Sequence, residues 1–562
     1  MYTTFGATQQ IISTTKAYGL AHKRRCANYK PSIWNYDFIQ SLKSEFTEAV
    51  YMTQAKILKE MFIVFLSEEL ELSRLHITDS ISKLGLSNVL PKLMKDALDS
   101  IASNPNDTAG FNEDIQKTAL RFRLLRQHGY NVSQDVFIGF IDEKVPFKEM
   151  IGPDLSGVLE LFEASHLAVE GEEILANAKV LSYQNLIDRY QYLDVDRAQQ
   201  VAHALNGPCH WRVLWFDVRH HIHAYEQQND NNKILLKLAK LNFNITQAII
   251  IEELKEMSRW LKNLGLIDDI KFSRDRLVET FSWTVGIAFE PQHSLLRKCL
   301  TKVVTLVLVL DDLYDIYGSL EELKYFTRAV ERWDSQELQQ LPKCINICFE
   351  TLRKTTAEIA NEIQKDKGWD DISCYLKTAW ADFCKALLSE ARWYNANHIP
   401  SLEGYLKSAW ISSSGPLLSL VTVLCSAEGG PDVLNDKLRE SQDLIYCISL
   451  IVRLSNDLGT SAAELERGDS PSSILCNMVE ANVTEEIARE HIKKMIVNAW
   501  KKINRELLLA SSERQTHVNQ IVNIARVCQF IYHEGDGFGA PNKNIRKQIE
   551  GVLIEPIQLS RD

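Results

Sequence analysis

The chain has 562 residues, well beyond the size at which a single hydrophobic core keeps growing, so at least two domains are expected. Its 63 Lys and Arg stand against 74 Asp and Glu, a formal charge of -11 that argues against a nucleic-acid partner. None of its 11 cysteines forms a CxxC pair, which argues against a zinc knuckle or a secreted disulfide scaffold, and no apolar run approaches the roughly 18 residues of a membrane helix.

Residues 1–23 hold no Asp or Glu, are rich in Thr, and lead into His22-Lys23-Arg24-Arg25. That composition predicts an acid-poor, plastid-type leader outside the fold; a disordered terminus fits it as well. Arg24, Arg25, Tyr29, Pro31 and Trp34 follow and predict an irregular strap across another surface, with guanidinium ion pairs at one end and an aromatic anchor at the other. From about Glu45 to Asn229 the apolar residues repeat at the helical period, for example over Lys56 to Leu72, Leu86 to Ile101, Ile115 to His128, Val158 to Ala168 and Arg197 to Leu205. No alternating strand of useful length appears, so the reading is an all-α domain. It lacks a DxDD string and is expected to serve as scaffold.

The polar run Gln227 to Lys233 places a domain junction, giving an N-terminal helical domain over 24–229 and a C-terminal helical domain over 230–562. Long amphipathic helices are predicted over Leu235 to Leu261 and Phe272 to Ile287, the latter opened by Arg274 and Arg276 with Trp283 on its apolar side. Val303 to Tyr317 runs apolar for two turns and then places Asp311, Asp312 and Asp315. On a helix Asp311 and Asp315 share a face, about 6 Å apart along the axis. Two such carboxylates beside a greasy segment repel each other, and a Mg²⁺ ion that completes its octahedron with phosphate oxygens relieves this. An acidic helix end meeting solvent would have the same string, so a second cluster decides the matter.

Before that cluster, Ser412-Ser413-Ser414-Gly415-Pro416 predicts a kink in a helix over Tyr405 to Cys425, either a bend or a cavity wall that aims carbonyl dipoles at a cation. The second cluster is Asn456, Thr460 and Glu464, oxygen ligands at i, i+4 and i+8, with Arg453 one turn earlier. Gly459 within it suggests that something approaches closely. Two oxygen sets on two helices are what a multi-Mg²⁺ clamp on a diphosphate needs. Beyond a final helix over His517 to His533, Glu534 to Pro541 reads as a glycine-rich loop, an ordinary turn or a lid over substrate.

With DDLYD at 311–315, NDLGTSAAE at 456–464, RDR at 274–276 and RR followed by eight residues and Trp at 24–34, the chain resembles the plant class I terpene synthases, in their angiosperm monoterpene and sesquiterpene branch. The resemblance runs from Arg24 to Pro556. It implies a vestigial N-terminal α-barrel and a C-terminal α-bundle, a carbon–oxygen lyase acting as a monomer on a prenyl diphosphate, and three Mg²⁺ ions for which Mn²⁺ can substitute. By the same resemblance Asp311, Asp315, Asn456, Thr460 and Glu464 are metal ligands, with Asp312 in support. Arg274, Arg453 and Arg276 hold the leaving diphosphate, while Trp283, Tyr446 and Tyr532 are expected as aromatic walls for an allylic cation.

Ser472 stands where some relatives place a lysine toward the diphosphate. Isoprene synthases carry phenylalanine and asparagine at the positions of Val452 and Ser472, which speaks against a C5 substrate. The strap and the leader favour geranyl diphosphate, a monoterpene product and a plastid location. The alternatives are farnesyl diphosphate with a farnesene-, nerolidol- or santalene-like product, activity on both lengths, and a cytosolic location. A prenyltransferase is disfavoured because Asn456 and Thr460 replace a second DDxxD string, and a non-catalytic prenyl-diphosphate binder because all five ligand positions are filled.

Overall fold

A computed structural model describes residues 24, 29–68, 71–103, 114–141, 154–467, 471–511, 514–538 and 543–559. Every regular element among the described residues is helical, so the fold is all-α. The leader, residues 1–23, lies outside the described residues. In the N-terminal half the helices run Ala49–Glu68, Glu71–Lys83, Pro91–Ser103, Ile115–Gln127, Leu155–Ser165, Glu173–Tyr190, Val195–Asn206 and Leu214–Glu226. The helix expected from Leu86 begins instead at Pro91. Leu86, Val89 and Leu90 form turns, and proline, with no N–H to satisfy, opens the first helical turn.

Asn232 caps the long Lys233–Leu264 helix, its Oδ1 accepting from Leu235 N at 2.8 Å. The helices that bear on function follow: Leu277–Ile287, Ser294–Asp312, Ser373–Asn395, Leu402–Ser412, Gly415–Ser426, Gln442–Arg467 and Gln515–Tyr532. Leu277–Ile287 packs on Ser294–Asp312, which packs on Gly415–Ser426; the last meets Gln515–Tyr532, and that helix lies along Gln442–Arg467. These contacts close a bundle around a cavity.

Two segments, Lys233–Leu264 and Leu402–Ser426, are long and apolar enough to cross a membrane, contrary to the sequence expectation. They are core instead, 78% and 67% of their most apolar windows being buried inside the protein. One hydrophobic cluster runs through both halves, from Trp34 to Leu553, and a smaller one lies within the N-terminal half around Phe122, Phe137 and Phe162. Polar bonds stitch the halves as well. Asn504 Nδ2 donates to the carbonyls of His166 and Ala168 at 3.0 and 2.8 Å, and Arg526 Nε donates to His210 O at 2.8 Å.

Candidate active site

A cavity of about 180 Å³ opens in the C-terminal bundle, and Arg274, Asp311, Asp315, Arg453, Asn456 and Thr460 are among its lining residues. Aliphatic side chains share that lining, with Ile287, Val304, Val307, Leu418, Val452 and Val527 contributing. Charged groups and aliphatic side chains on one cavity suit a ligand with an anionic head and a hydrocarbon body.

The first acidic wall is not one straight helix. The α-helix stops at Asp312 and Leu313–Tyr317 forms a π-helical turn, closed by Gly318 N donating to Leu313 O at 2.8 Å. A side chain at 318 has no room, since a Cβ there would lie 2.5 Å from Leu323 Cδ2. Such π turns are frequent at functional sites, and this one leaves Asp311 and Asp315 on the same cavity. Asp312 is fully buried and organises the segment before the Leu277 helix. Its Oδ2 accepts from Ser273 Oγ at 3.0 Å and from Arg274 N at 3.1 Å, which explains why helix begins at Leu277 rather than at Phe272 as expected. The Arg274 guanidinium donates to Asp311 and lies 3.2 Å from Asp312 Oδ1, with the Tyr29 ring 4.8 Å away. Burial raises the pKa of Asp312; Arg274 offsets part of this and Asp311 adds to it. One guanidinium here faces two carboxylates.

The opposite wall is the helix Gln442–Arg467, long enough to carry 456, 460 and 464. Arg453 Nη1 donates to Asn456 Oδ1 at 3.2 Å, Nη2 to Ser412 Oγ at 3.2 Å, and Nε to Ala409 O at 3.3 Å. Thr460 Oγ1 donates to Asn456 O at 2.8 Å. A Cβ on Gly459 would come 3.0 Å from Tyr532 Cβ and Tyr532 O, so the close approach expected there is made by the end of the Gln515–Tyr532 helix. The side chain of Glu464 lies outside the described residues.

Between the walls the expected kinked helix is two helices, Leu402–Ser412 and Gly415–Ser426, separated at Ser413 and Ser414. Ser414 takes a left-handed φ of 64°, and a Cβ on Gly415 would meet Ser449 Oγ at 2.3 Å, so the break is fixed by conformation and by crowding. Ser412, Ser413 and Ser414 all line the cavity. Ser412 Oγ donates to Glu390, a buried glutamate that burial pushes above its usual pKa, with Arg453 pulling it down.

The mouth is covered from two directions. Arg24 pairs with Glu322 at 2.8 Å, donates to Tyr317 O at 2.9 Å and stands 4.2 Å over the Tyr317 ring, directly after the acidic turn. Trp34 anchors the other end of the strap, its Nε1 donating to Glu279 Oε1 at 3.3 Å. Tyr29, between them, lines the cavity, as do Asp536 and Phe538 from the glycine-rich loop.

Trp283 and Tyr532 also line the cavity, Trp283 being packed against Phe216, Phe530 and Phe538. Two expected site residues are placed elsewhere. Tyr446 is 41% exposed and packs on Trp410 outside the cavity, because it lies two helical turns before Arg453, about 10 Å along the axis of the same helix. Arg276 is 3% exposed and spends its guanidinium on backbone: Nε on Phe538 O at 2.8 Å, Nη1 on Asp275 O at 2.8 Å and Nη2 on Lys30 O at 3.0 Å. It ties strap to loop and does not line the cavity. Ser472 is the N-cap of Ser473–Ala481, its Oγ accepting from Leu475 N at 3.3 Å, a role a lysine cannot fill.

Sequence reasoning passed over Glu390, Tyr405 and Asp457. Tyr405 OH lies 3.1 Å from both Asp457 carboxylate oxygens, and Ser473 N donates to Oδ2 at 2.8 Å, which braces the second wall. Asp457 sits inside the NDLGT string and was legible there; Glu390 stands alone in an amphipathic helix and carried no signal. The donor set fits a hard cation: Asp311 and Asp315 offer carboxylates, Asn456 and Thr460 neutral oxygens, and Asp311 keeps 36% of its side chain exposed. No three His, Cys, Asp or Glu converge among the described residues, so an ion here would need further oxygens from a ligand or water.

Two families match the chain: the terpene synthase N-terminal domain over residues 33–205 and the terpene synthase metal binding domain over 262–502. The chain is 50% identical to (E,E)-alpha-farnesene synthase of Malus domestica over 98% of its length and 96% of that protein's. It is 49% identical to alpha-farnesene synthase of Ricinus communis over 98% of both, and 41% identical to the chloroplastic myrcene synthase of Quercus ilex over 96% and 91%. Among solved structures, limonene synthase with 2-fluorolinalyl diphosphate superposes with a TM-score of 0.90 at 36% identity, covering 95% of this chain and 100% of that one. Isoprene synthase of grey poplar (Populus x canescens), with three Mg²⁺ ions and dimethylallyl-S-thiolodiphosphate, superposes at 0.85 and 38% identity, covering 94% and 99%.

Proposed function

The chain belongs to the plant class I terpene synthases, and from that premise we propose that it converts farnesyl diphosphate, with loss of diphosphate, to a farnesene-type C15 olefin. The observation that carries the C15 length is the identity gap: about half of all positions agree with two farnesene synthases, against 41% with the myrcene synthase. The geranyl diphosphate expected from the strap becomes the second reading, favoured by the Arg24–Glu322 pinning of that strap and the likeness to limonene synthase.

In this reading Asp311 and Asp315 on one wall and Asn456, Thr460 and Glu464 on the other hold Mg²⁺, which the isoprene synthase structure contains in threefold. When bound, the ions neutralise charge on the diphosphate oxygens as the allylic C–O bond breaks. Arg274 and Arg453 take up the same charge from the chain's side, as preorganised donors on the cavity wall. The bonding pair leaves with the diphosphate oxygen, and no protein nucleophile is needed. The allylic cation left behind sits among Ile287, Val304, Val307 and Leu418, where the faces of Trp283 and Tyr532 attract it. Loss of a C–H proton, with the C–H pair forming the new double bond, gives the olefin; the departed diphosphate is the base at hand. Arg276, by joining the strap at Lys30 to the loop at Phe538, keeps water from the cation during its lifetime.

Incubation of the purified chain with Mg²⁺ and either farnesyl or geranyl diphosphate, followed by gas chromatography, decides the length. Turnover of only the C10 substrate would overturn the C15 reading and leave the family assignment standing. The acid-poor residues 1–23 support a plastid location, as does the chloroplastic myrcene synthase among the relatives. A fluorescent fusion to those residues that stays in the cytosol would reverse it.

A further inference from the structure

A second cavity, larger than that of the candidate active site, lies elsewhere. A cavity of about 810 Å³ opens between the N-terminal helices and the Gln529–Gly537 segment, within the range of about 300–1,000 Å³ that small-molecule sites occupy. Phe162, Tyr183, Trp211, Phe216, Phe530 and Ile545 supply an aromatic and aliphatic lining. Trp211 is held rigidly, stacked on Trp500 at 5.5 Å and 14° and met edge-on by His166 at 5.1 Å.

Into this lining comes Lys179, half-buried, with Nζ 5.2 Å over the Trp211 ring. Among the described residues no carboxylate pairs with it. Other cations of the same half do have carboxylate partners: Arg123 with Asp79 and Glu160, Arg126 with Glu172, and Arg212 with Asp217 at 2.6 Å. Since Arg212 neutralises Asp217, that acid does not serve Lys179 either. Burial, with a smaller contribution from the nearby Lys501, lowers the Lys179 pKa to about 8, with no carboxylate acting in the opposite direction. A cation kept beside a second cation, over an aromatic face and beside a large apolar space, is stabilised by an anion that brings its own hydrocarbon.

We propose that this cavity binds an anionic amphiphile, a molecule with an apolar or aromatic body and one carboxylate or phosphate head, with the head on Lys179. The site is separate from the catalytic residues, although the His533–Gly537 loop contributes Asp536 to both cavities. It does not depend on the length of the prenyl substrate.

The test is calorimetric titration of the full chain with dodecanoate, dodecyl phosphate and dodecanol, with Mg²⁺ and inorganic diphosphate in excess. Both anions are expected to bind, and dodecanol at least about tenfold more weakly, as befits loss of a bond to a charged group. Lys179→Met should weaken the anions by about tenfold or more and leave dodecanol unchanged, while Lys179→Arg should retain them. Prenyl diphosphate turnover by Lys179→Met should match the parent, which reports folding and keeps this result separate from the proposed function. Binding of one anion and not the other assigns the head group. Equal binding of dodecanol, unchanged anion affinity in Lys179→Met, or no heat up to millimolar probe would overturn the proposal.

Discussion

Arg123 in the N-terminal half and Arg274 in the C-terminal half each hold two carboxylates, and the two groups differ in how fully the charge is met. Arg123 is 2% exposed, bonds Glu160 and Asp79 at 2.9 Å, and Lys83 adds a second cation on Asp79 at 2.7 Å. Burial would raise the pKa of Asp79, and the two cations outweigh it and hold the carboxyl well below the usual range. Around Arg274 the balance reverses. Asp312 has no access to solvent, and burial pushes it up by more than Arg274 pulls it down. The first arrangement is complete and structural. The second sets one guanidinium against two carboxylates and leaves Asp311 partly exposed, which suits it to a cation that brings its own ligands.

The comparison breaks most visibly by removing one charged residue from each group. Asp311→Ala is expected to cut turnover on the order of 10³-fold, as for loss of a main electrostatic element, with the melting temperature nearly unchanged. Substantial turnover by a folded variant would end its assignment as a ligand. Arg123→Met should do the opposite. It leaves Asp79 and Glu160 with Lys83 as the cation still in reach, a cost of roughly 3 kcal/mol readable by denaturant titration, with turnover retained in the fraction that folds.

Acid sharpens the contrast. Asp79 has a depressed folded pKa, so its contribution is present above the unfolded value of about 3.9 and lost as pH falls below it. Asp79→Asn should therefore destabilise at pH 7 and progressively less toward pH 3. Glu390, on the cavity wall, is raised by burial, so its charged form costs stability above the unfolded value of about 4.3. Glu390→Gln should be at least as stable as the parent at pH 7, the difference closing as pH falls. Denaturant midpoints at pH 3, 5 and 7 measure both.

Much of this contrast was legible in the residues. The helical period and the DDLYD and NDLGT strings located both walls, and Gly459 announced a close neighbour, because spacing on a helix is a local property. What escaped depends on distant packing. The π turn at Leu313–Tyr317 follows from how Gly318 meets Leu323, and the late start of the Leu277 helix from Asp312 capturing Ser273 and Arg274. Glu390 gained its place through Ser412, 22 positions away. Tyr446 misled for the converse reason: it shares a helix and a face with Arg453, but stands two turns short of the cavity.

Arg276 and Tyr446 give the two smallest effects and divide positioning from proximity. Arg276→Gln keeps a donor but cannot span Lys30 O, Asp275 O and Phe538 O together, so strap and loop should part more often. KM is expected to rise about tenfold or less, in line with the roughly 0.5–1.5 kcal/mol of a hydrogen bond, and the share of water-captured alcohol among the products should grow. A residue bound only to diphosphate would lower kcat and leave that share as it was. Tyr446→Ala should change kcat, KM and product ratio by less than about twofold, as surface substitutions do, since its ring meets Trp410 and solvent rather than substrate. If Tyr446→Ala moved the product ratio as Arg276→Gln does, the cavity would have to extend past Trp410, and its boundary between Tyr446 and Val452 on the Gln442–Arg467 helix would fail.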